Sequence, residues 1–396
     1  MPIVKQSLCR VSRRIIPTRR IFSCPYLWAI IRADRSPELI HHAVLPSFDV
    51  PPAELCLIRL SAIGDTCHTV PVVRAIQKAW PDARLTWIVG KTEHGLLQGL
   101  DGVEFVLFDK SRGRRAYLDV RRELSGRRFE ILLHMHASMR ANLVSLQVAA
   151  NTKLGFDRAR RRDYQWLFCR NRLAATPRQH VMDGLFELAA ALGIEREELR
   201  WEIPVADADR EFAASQIDDG GPSLIVSPCT GQRFRNFRNW SMDRYAAIAD
   251  YAAEQHGAKI FLTGGPTDLE RDYGRGIVEL ARADVVNLIG QTTLKQLLAL
   301  LERSSVVLCP DSGPAHMATA VGTPVVGLYA TSNRHRTGPY LSQDLVVDKY
   351  PEAVRQELGR SVEEIRWGRR VRSPDAMSLI AVADVIPKLQ AAFERR

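Results

Sequence analysis

No apolar run in this chain of 396 residues reaches the length of about eighteen that a membrane-spanning helix needs, so no transmembrane segment is expected. The seven cysteines, at positions 9, 24, 56, 67, 169, 229 and 309, are odd in number and form no CxxC pair. That argues against a disulfide framework and a structural zinc, and for a reducing cytoplasm. Helix-turn-helix, zinc-finger and aromatic RNP patterns are missing, so no nucleic-acid partner is expected. GxGxxG is also missing, which weakens any dinucleotide reading. Metal ligands are sparse: His134 and His136 alternate on a strand with no further ligand beside them, which favours a structural role. Asp207-Ala208-Asp209 has the form of a metal-binding DxD, but no apolar strand precedes it. No metal is expected.

What the chain does have is positive charge and alternating α/β patterning. The formal net charge is +10, which suits an acidic partner: a phosphorylated substrate or an anionic membrane surface. Hydrophobic residues make up 46%, enough for a globular protein, and the length suits two domains. Residues 1–50 stand apart. They are rich in arginine (Arg10, Arg13, Arg14, Arg19, Arg20) and carry one apolar patch, Tyr26–Ile31, but no convincing signal-peptide core or cleavage site. A transit-like or membrane-surface helix and translated upstream sequence are equally compatible with them, and the segment stays unassigned.

From residue 53 to 205 the pattern is that of one α/β domain. An apolar strand, Leu55–Leu60, leads into the turn Ser61-Ala62-Ile63-Gly64-Asp65 and a helix with Val70, Val73, Ile76 and Trp80 at helical spacing. Pro81-Asp82 ends it, and the next strand is Leu85–Val89. Further strands are expected at Val103–Phe108, Glu130–Leu133 and near Lys153–Phe156. Arginine is densest over 109–172, above all at Arg158-Ala159-Arg160-Arg161-Arg162. This stretch is either a set of solvated faces or a receiver for phosphate or anionic lipid. A helix at 180–192 follows, and residues 194–222, ending Asp218-Asp219-Gly220-Gly221-Pro222, read as a linker.

A second α/β domain is expected over 222–375, with a C-terminal helix in 376–396. Its strands are Ser223–Ser227, Lys259–Thr263, 285–288, Val306–Leu308 and Pro324–Leu328, with helices at Ser241–His256, 269–282 and 294–303 between them. The stretch Cys309-Pro310-Asp311-Ser312-Gly313-Pro314-Ala315-His316 lies between a buried strand and a small-residue helix. Free N–H groups at that helix start, with the helix dipole, suit a phosphate or pyrophosphate. An ordinary capped helix is the competing reading, with Asp311 or Ser312 as the cap. Ser312 and His316 both belong to the helix-start turn and are no nucleophile–base pair. The polar turns 61–65, 228–231, 264–266 and 311–316 all fall at C-terminal strand ends, where open α/β sheets bind ligands.

Within those turns, Asp65 is either a helix cap or a general base facing the cleft. Arg233, Arg235 and Arg238 could clamp a diphosphate, or simply lead into a helix. Asp268 and Glu270, after Gly264-Gly265, could accept from ribose hydroxyls or favour a helix start.

Leu57–Asp65, continued by His68-Thr69 and Pro71, resembles the opening motif of the ADP-heptose:lipopolysaccharide heptosyltransferases, glycosyltransferase family 9. Asp311–Ala320 resembles the family's donor motif, Gly327–Thr331 continues it, and Ser227–Thr230 through Trp240 fits the segment between. The likeness runs from about residue 55 to 340 and leaves residues 1–50 outside. It implies a GT-B fold: two Rossmann-like domains facing a cleft, the first for the acceptor and the second for the nucleotide sugar. It implies inverting, metal-independent transfer of heptose from ADP-heptose, a substrate rather than a cofactor, to the Kdo of a Kdo-lipid A type acceptor. The setting it implies is the cytoplasmic face of the inner membrane, with peripheral contact to anionic lipid. Asp65 then matches the catalytic base. Thr230, Arg238, Glu270, Asp311, Ser312, Gly313 and His316 match donor-binding positions, Arg238 standing near where the family commonly has lysine. Ser61, Gly64 and the run Arg160, Arg161 and Arg162 are expected on the acceptor side. The alternatives are another GT-B nucleotide-sugar transferase, or a noncatalytic nucleotide- or anion-binding protein.

Overall fold

The computed structural model describes residues 50–395 apart from 170, 177, 219 and 232–235. The basic segment up to residue 49, and Arg233 and Arg235 of the expected diphosphate clamp, lie outside the described residues.

The first sheet has six parallel strands: β1 (Glu54–Ile58), β2 (Arg84–Gly90), β3 (Val103–Phe108), β4 (Phe129–His134), β5 (Ala150–Gly155) and β6 (Asn171–Arg172). Their order is β3-β2-β1-β4-β5-β6. Around them pack α1 (Ile63–Ala79), α2 (Lys91–Leu97), α3 (Arg115–Glu123), α4 (Met139–Ser145) and α5 (Val181–Ala190). A connecting helix, α6 (Asp207–Gln216), leads to the second sheet. That sheet holds β7 (Ser223–Val226), β8 (Lys259–Leu262), β9 (Val285–Asn287), β10 (Val306–Pro310), β11 (Val325–Tyr329) and β12 (Val347–Asp348). Its order, β9-β8-β7-β10-β11-β12, repeats the first, again all parallel. Its helices are α7 (Met242–His256), α8 (Asp268–Leu280), α9 (Leu294–Arg303), α10 (Gly313–Ala320), α11 (Arg334–Thr337), α12 (Tyr350–Leu358) and α13 (Val382–Phe393). This doubly wound order puts a switch point between β1 and β4 and another between β7 and β10.

The central strands are apolar from end to end, as sheets covered on both faces require: Leu55–Ile58, Leu224–Val226 and Val306–Cys309 are all buried. One apolar cluster runs from Leu55 and Val73 of the first half through Ala213 of α6 to Leu298 of α9 and Cys309 of β10. The two halves therefore share a core. The linker expected over 194–222 is helical in its middle. Its composition, Asp-Ala-Asp-Arg-Glu, reads as loop but suits a helix whose first turn is acidic. The DxD aspartates lie in that first turn. The C-terminal stretch belongs to the second half, since Val385, Leu389 and Ala392 of α13 are buried with Leu224 and Val326.

Pro71 stands inside α1, where it cannot donate to the Cys67 carbonyl four residues back. Trp201 supplies the missing donor, its Nε1 reaching that carbonyl at 2.9 Å. The helix thus continues through its proline.

Candidate active site

Two helix starts meet between the sheets. β1 delivers Arg59–Asp65 into the first turn of α1, and β10 delivers Asp311–Gly313 into the first turn of α10. A Cβ on Gly64 would collide with His316 Cδ2, and one on Gly313 would lie 3.4 Å from the Ile63 side chain. Glycine at the α1 start therefore lets the halves approach, while the α10 start has room for a Cβ. Gly64, expected on the acceptor side, is buried beneath His316, while Ser61 is partly exposed on the turn before it.

Behind this junction three buried imidazoles meet edge to face: His316 and His68 at 4.4 Å between ring centres, and His68 and His180 at 5.1 Å. His180 uses both ring nitrogens as a neutral ring does, Nε2 donating to the Gly338 carbonyl at 3.0 Å and Nδ1 accepting the Met182 amide at 3.1 Å. Burial, outweighing that carbonyl bond, brings its pKa down to about 4. His316 Nδ1 is buried without a partner among the described residues.

Asp65 has a side chain 37% exposed and pairs with Arg59 at 2.5 Å. Its Oδ2 also accepts the Ala62 amide at 3.3 Å, half of a capping box. Burial pushes this carboxyl up, but the Arg59 charge, the Ala62 amide and His136 together hold it below the ordinary range. Asp65 thus both caps α1 and stands ionised at the mouth of the junction.

On the other side, Asp311 is buried between two guanidiniums, with Arg238 and Arg370 each 3.3 Å from its Oδ2. Arg238 also donates to the Asp311 carbonyl at 2.5 Å and to Asn236 Oδ1 at 2.7 Å. Thr230 is buried under this loop, its amide bound to Asn239 Oδ1 at 3.0 Å and its hydroxyl to Asn236 Nδ2 at 2.6 Å. Ser312 is the N-cap of α10, with Gly313 first in the helix, and its side chain makes no cap bond. The first-turn amides of α10 are thus not capped by that hydroxyl. Glu270 is occupied locally: it accepts the Gly265 amide at 2.8 Å and the Thr267 hydroxyl at 2.6 Å, within the start of α8. Asp268 is exposed and pairs with Arg271 at 3.6 Å.

The structure separates the arginines expected to act together. Arg160 is ion-paired with Asp157 and Glu187 and bonded to Gln179 Oε1 at 3.0 Å, so its charge is already answered. Arg161 lies over the Trp166 ring at 5.6 Å. Arg162 alone turns to the junction, where Arg336, Arg366 and Arg370 of the second half join it. Sequence reasoning missed those three and Arg59. The dense run Arg366–Arg372 was the available signal. Among the described residues, no group of three or more His, Cys, Asp or Glu side chains is placed to hold a metal ion.

Residues 117–364 match the family model for glycosyltransferase family 9 (heptosyltransferase). The chain belongs to glycosyltransferase family 9. It is 37% identical over 346 residues to the lipopolysaccharide core heptosyltransferase OpsX of Haemophilus influenzae, covering 87% of this chain and 99% of that one. Among solved structures, a family 9 glycosyl transferase from Veillonella parvula superposes with a TM-score of 0.70 at 22% identity, over 87% of this chain and 98% of that one. The Escherichia coli heptosyltransferase WaaC with ADP gives 0.66 at 17% identity, over 86% and 99%. These neighbours carry the GT-B architecture, and the family 9 chain is a GT-B glycosyltransferase.

Proposed function

We propose that this family 9 enzyme transfers heptose, with inversion, from ADP-heptose to a Kdo hydroxyl of a lipopolysaccharide inner-core acceptor. The observation that carries the reading is the meeting of Asp65 with the α10 start across one glycine-lined junction. The relatives supply the sugar: OpsX is named a lipopolysaccharide core heptosyltransferase, and WaaC was solved with ADP.

In this mechanism the acceptor hydroxyl oxygen forms a bond to the anomeric carbon as the bond from that carbon to the diphosphate oxygen breaks. Asp65 takes the hydroxyl proton. It is ionised at neutral pH because Arg59 holds it so, which favours readiness over basicity. The electron pair of the broken bond goes to ADP, whose growing charge faces the α10 amides and Arg238. Thr230 supports this loop through Asn236 and Asn239, and Glu270 at the α8 start is assigned to accept from a ribose hydroxyl beside its bonds to Gly265 and Thr267.

Purified protein with Kdo-lipid A should turn over ADP-heptose in preference to UDP- or GDP-sugars. Asp65→Ala should cost about a hundred- to ten-thousand-fold in kcat, with ADP affinity kept. Preference for another nucleotide sugar would overturn the donor, and unchanged turnover in Asp65→Ala would remove the base.

The enzyme would meet its lipid acceptor at the inner membrane's cytoplasmic face. Met139, Leu143 and Leu146 lie exposed at helical spacing along α4 and just past its end, with Tyr164 and Leu167 exposed in the segment that Asp163 fastens to the Met139 amide. Arg140 of the same helix is exposed as well. Exposed apolar side chains with a cation on the same helix suit an anionic bilayer. Flotation with anionic vesicles should be lost in M139S/L143S/L146S; equal flotation would exclude this face.

A further inference from the structure

Around the junction, guanidinium groups outnumber the carboxylates that could neutralise them. Arg59 and Asp65 form one pair, and Asp311 is shared by Arg238 and Arg370. Arg162, Arg336 and Arg366 have no carboxylate at ion-pair distance among the described residues. Arg162 Nη2 and Arg336 Nε converge on Gly368 from opposite halves, each 3.2 Å from where its Cβ would be. Arg366, two residues before that glycine, donates to the Ala159 carbonyl of the first half at 3.5 Å. Burial, then the charges of Arg366 and Arg370, lower the Arg162 pKa, as expected of cations crowded together. Arg336 has Asp65 and Asp311 as its nearby counter-charges and Arg162 and Arg370 as like neighbours. Asp163, next to Arg162 in sequence, turns to the Met139 amide at 3.0 Å.

Six guanidinium groups thus gather near four carboxylates, those of Asp65, Glu93, Asp163 and Asp311. Neither carboxylate pair, Arg59 with Asp65 or Arg238 and Arg370 with Asp311, takes in Arg162, Arg336 or Arg366. Arg238 is held on Asp311 beside the α10 start, whereas Arg336 has Asp65 as its foremost counter-charge and Arg366 reaches Ala159 of the first half. Of the three arginines without a carboxylate partner among the described residues, Arg336 is thus the one that links the cluster to the base.

We propose that Arg162, Arg336 and Arg366 form a carboxylate pocket that holds the acidic group of the acceptor sugar, so that its hydroxyl is presented to Asp65. This rests on the transfer reading above. It assigns acceptor recognition to both halves rather than to the first alone. Gly368 is the floor of the pocket: any side chain there would press on both guanidiniums. Two further points favour an acidic sugar over a neutral one. Guanidinium forks match carboxylate oxygens in pairs. Arg162 and Arg366 are also exposed, so they are available to a ligand entering the cleft.

The test does not need turnover. Titration calorimetry with a methyl glycoside of 3-deoxy-octulosonic acid, against its methyl ester, reads the carboxylate directly. Wild type should bind the acid at least tenfold tighter than the ester. R162Q and R366Q, both at exposed positions, should each erase that preference while ADP-heptose affinity stays within twofold. Equal affinity for acid and ester, or no detectable binding of the acid, overturns the pocket. Loss of ADP-heptose affinity in the variants also overturns it, because the cluster would then hold the donor's diphosphate. If the acid preference stands but ADP-heptose is not turned over, the transfer reading fails and the pocket remains.

Discussion

Asp65 is asked to be a base while paired with a cation 2.5 Å away. The pairing has a cost and a use: it weakens the base, and it keeps the base ionised in a partly desolvated cleft. The sign of a pH effect follows. A carboxyl held below its ordinary pKa adds stability that is present above the unfolded value and lost as pH falls through the folded one. Activity that needs the ionised form falls over that same low range. In R59M the largest lowering influence is gone while burial still pushes the carboxyl up. The acid limb of the kcat/KM profile should therefore move to higher pH, with the loss greatest below neutrality and smallest above it. An acid limb that stays in place would mean that Asp65 is not the group titrating. Gly64 shows the same economy of space, since its hydrogen is where any Cβ would strike His316.

Among the elements, α1 shows how a long helix can be read correctly and still hide its support. Its spacing of Val70, Val73 and Ile76 announces a helix, and Pro71 argues against one. The contradiction is resolved 130 residues on, where Trp201 donates to the Cys67 carbonyl. W201F should cost about 1–3 kcal/mol by leaving that carbonyl unmet. In a P71A background the loss should shrink, because the backbone amide that alanine restores at that position can then donate to the carbonyl; equal losses in both backgrounds would discard the account. The same contrast explains what was legible. β3 at Val103–Phe108 and α9 at Leu294–Arg303 were readable to the residue because their apolar periods are uninterrupted. Helix α6 was not, since its buried face is small, with Ala213 its one buried residue and Ile217 following. The turns at 61–65 and 311–316 were legible because glycine and aspartate follow apolar strands. Arg336, Arg366 and Arg370 were not, because they lie on a four-residue helix and irregular chain with no period to follow. Arg160 and Arg162 are two residues apart and identical in type. Only the fold tells the one bound by Asp157 and Glu187 from the one left for the cleft.

At the scale of the whole molecule, the same six-strand order occurs twice, and the turns that follow β1 and β10 fall at the two switch points. Duplicated architecture has not made the halves independent. Their apolar cores run together through α6 and α9, and Lys295 of α9 donates to the Gln98 carbonyl of the first half at 3.0 Å. The return segment before α13 crosses back as well: Trp367 Nε1 donates to the Gln179 carbonyl at 2.7 Å, beneath the Arg178 guanidinium at 5.7 Å. Trp367 sits on the seam. Any swing that parts the halves has to draw its indole off that carbonyl and out from under that cation into water. The protein therefore carries an intrinsic optical gauge: the Trp367 share of its emission, read as the difference from W367F, should shift to the red as the seam opens and back to the blue as it shuts, with no label attached.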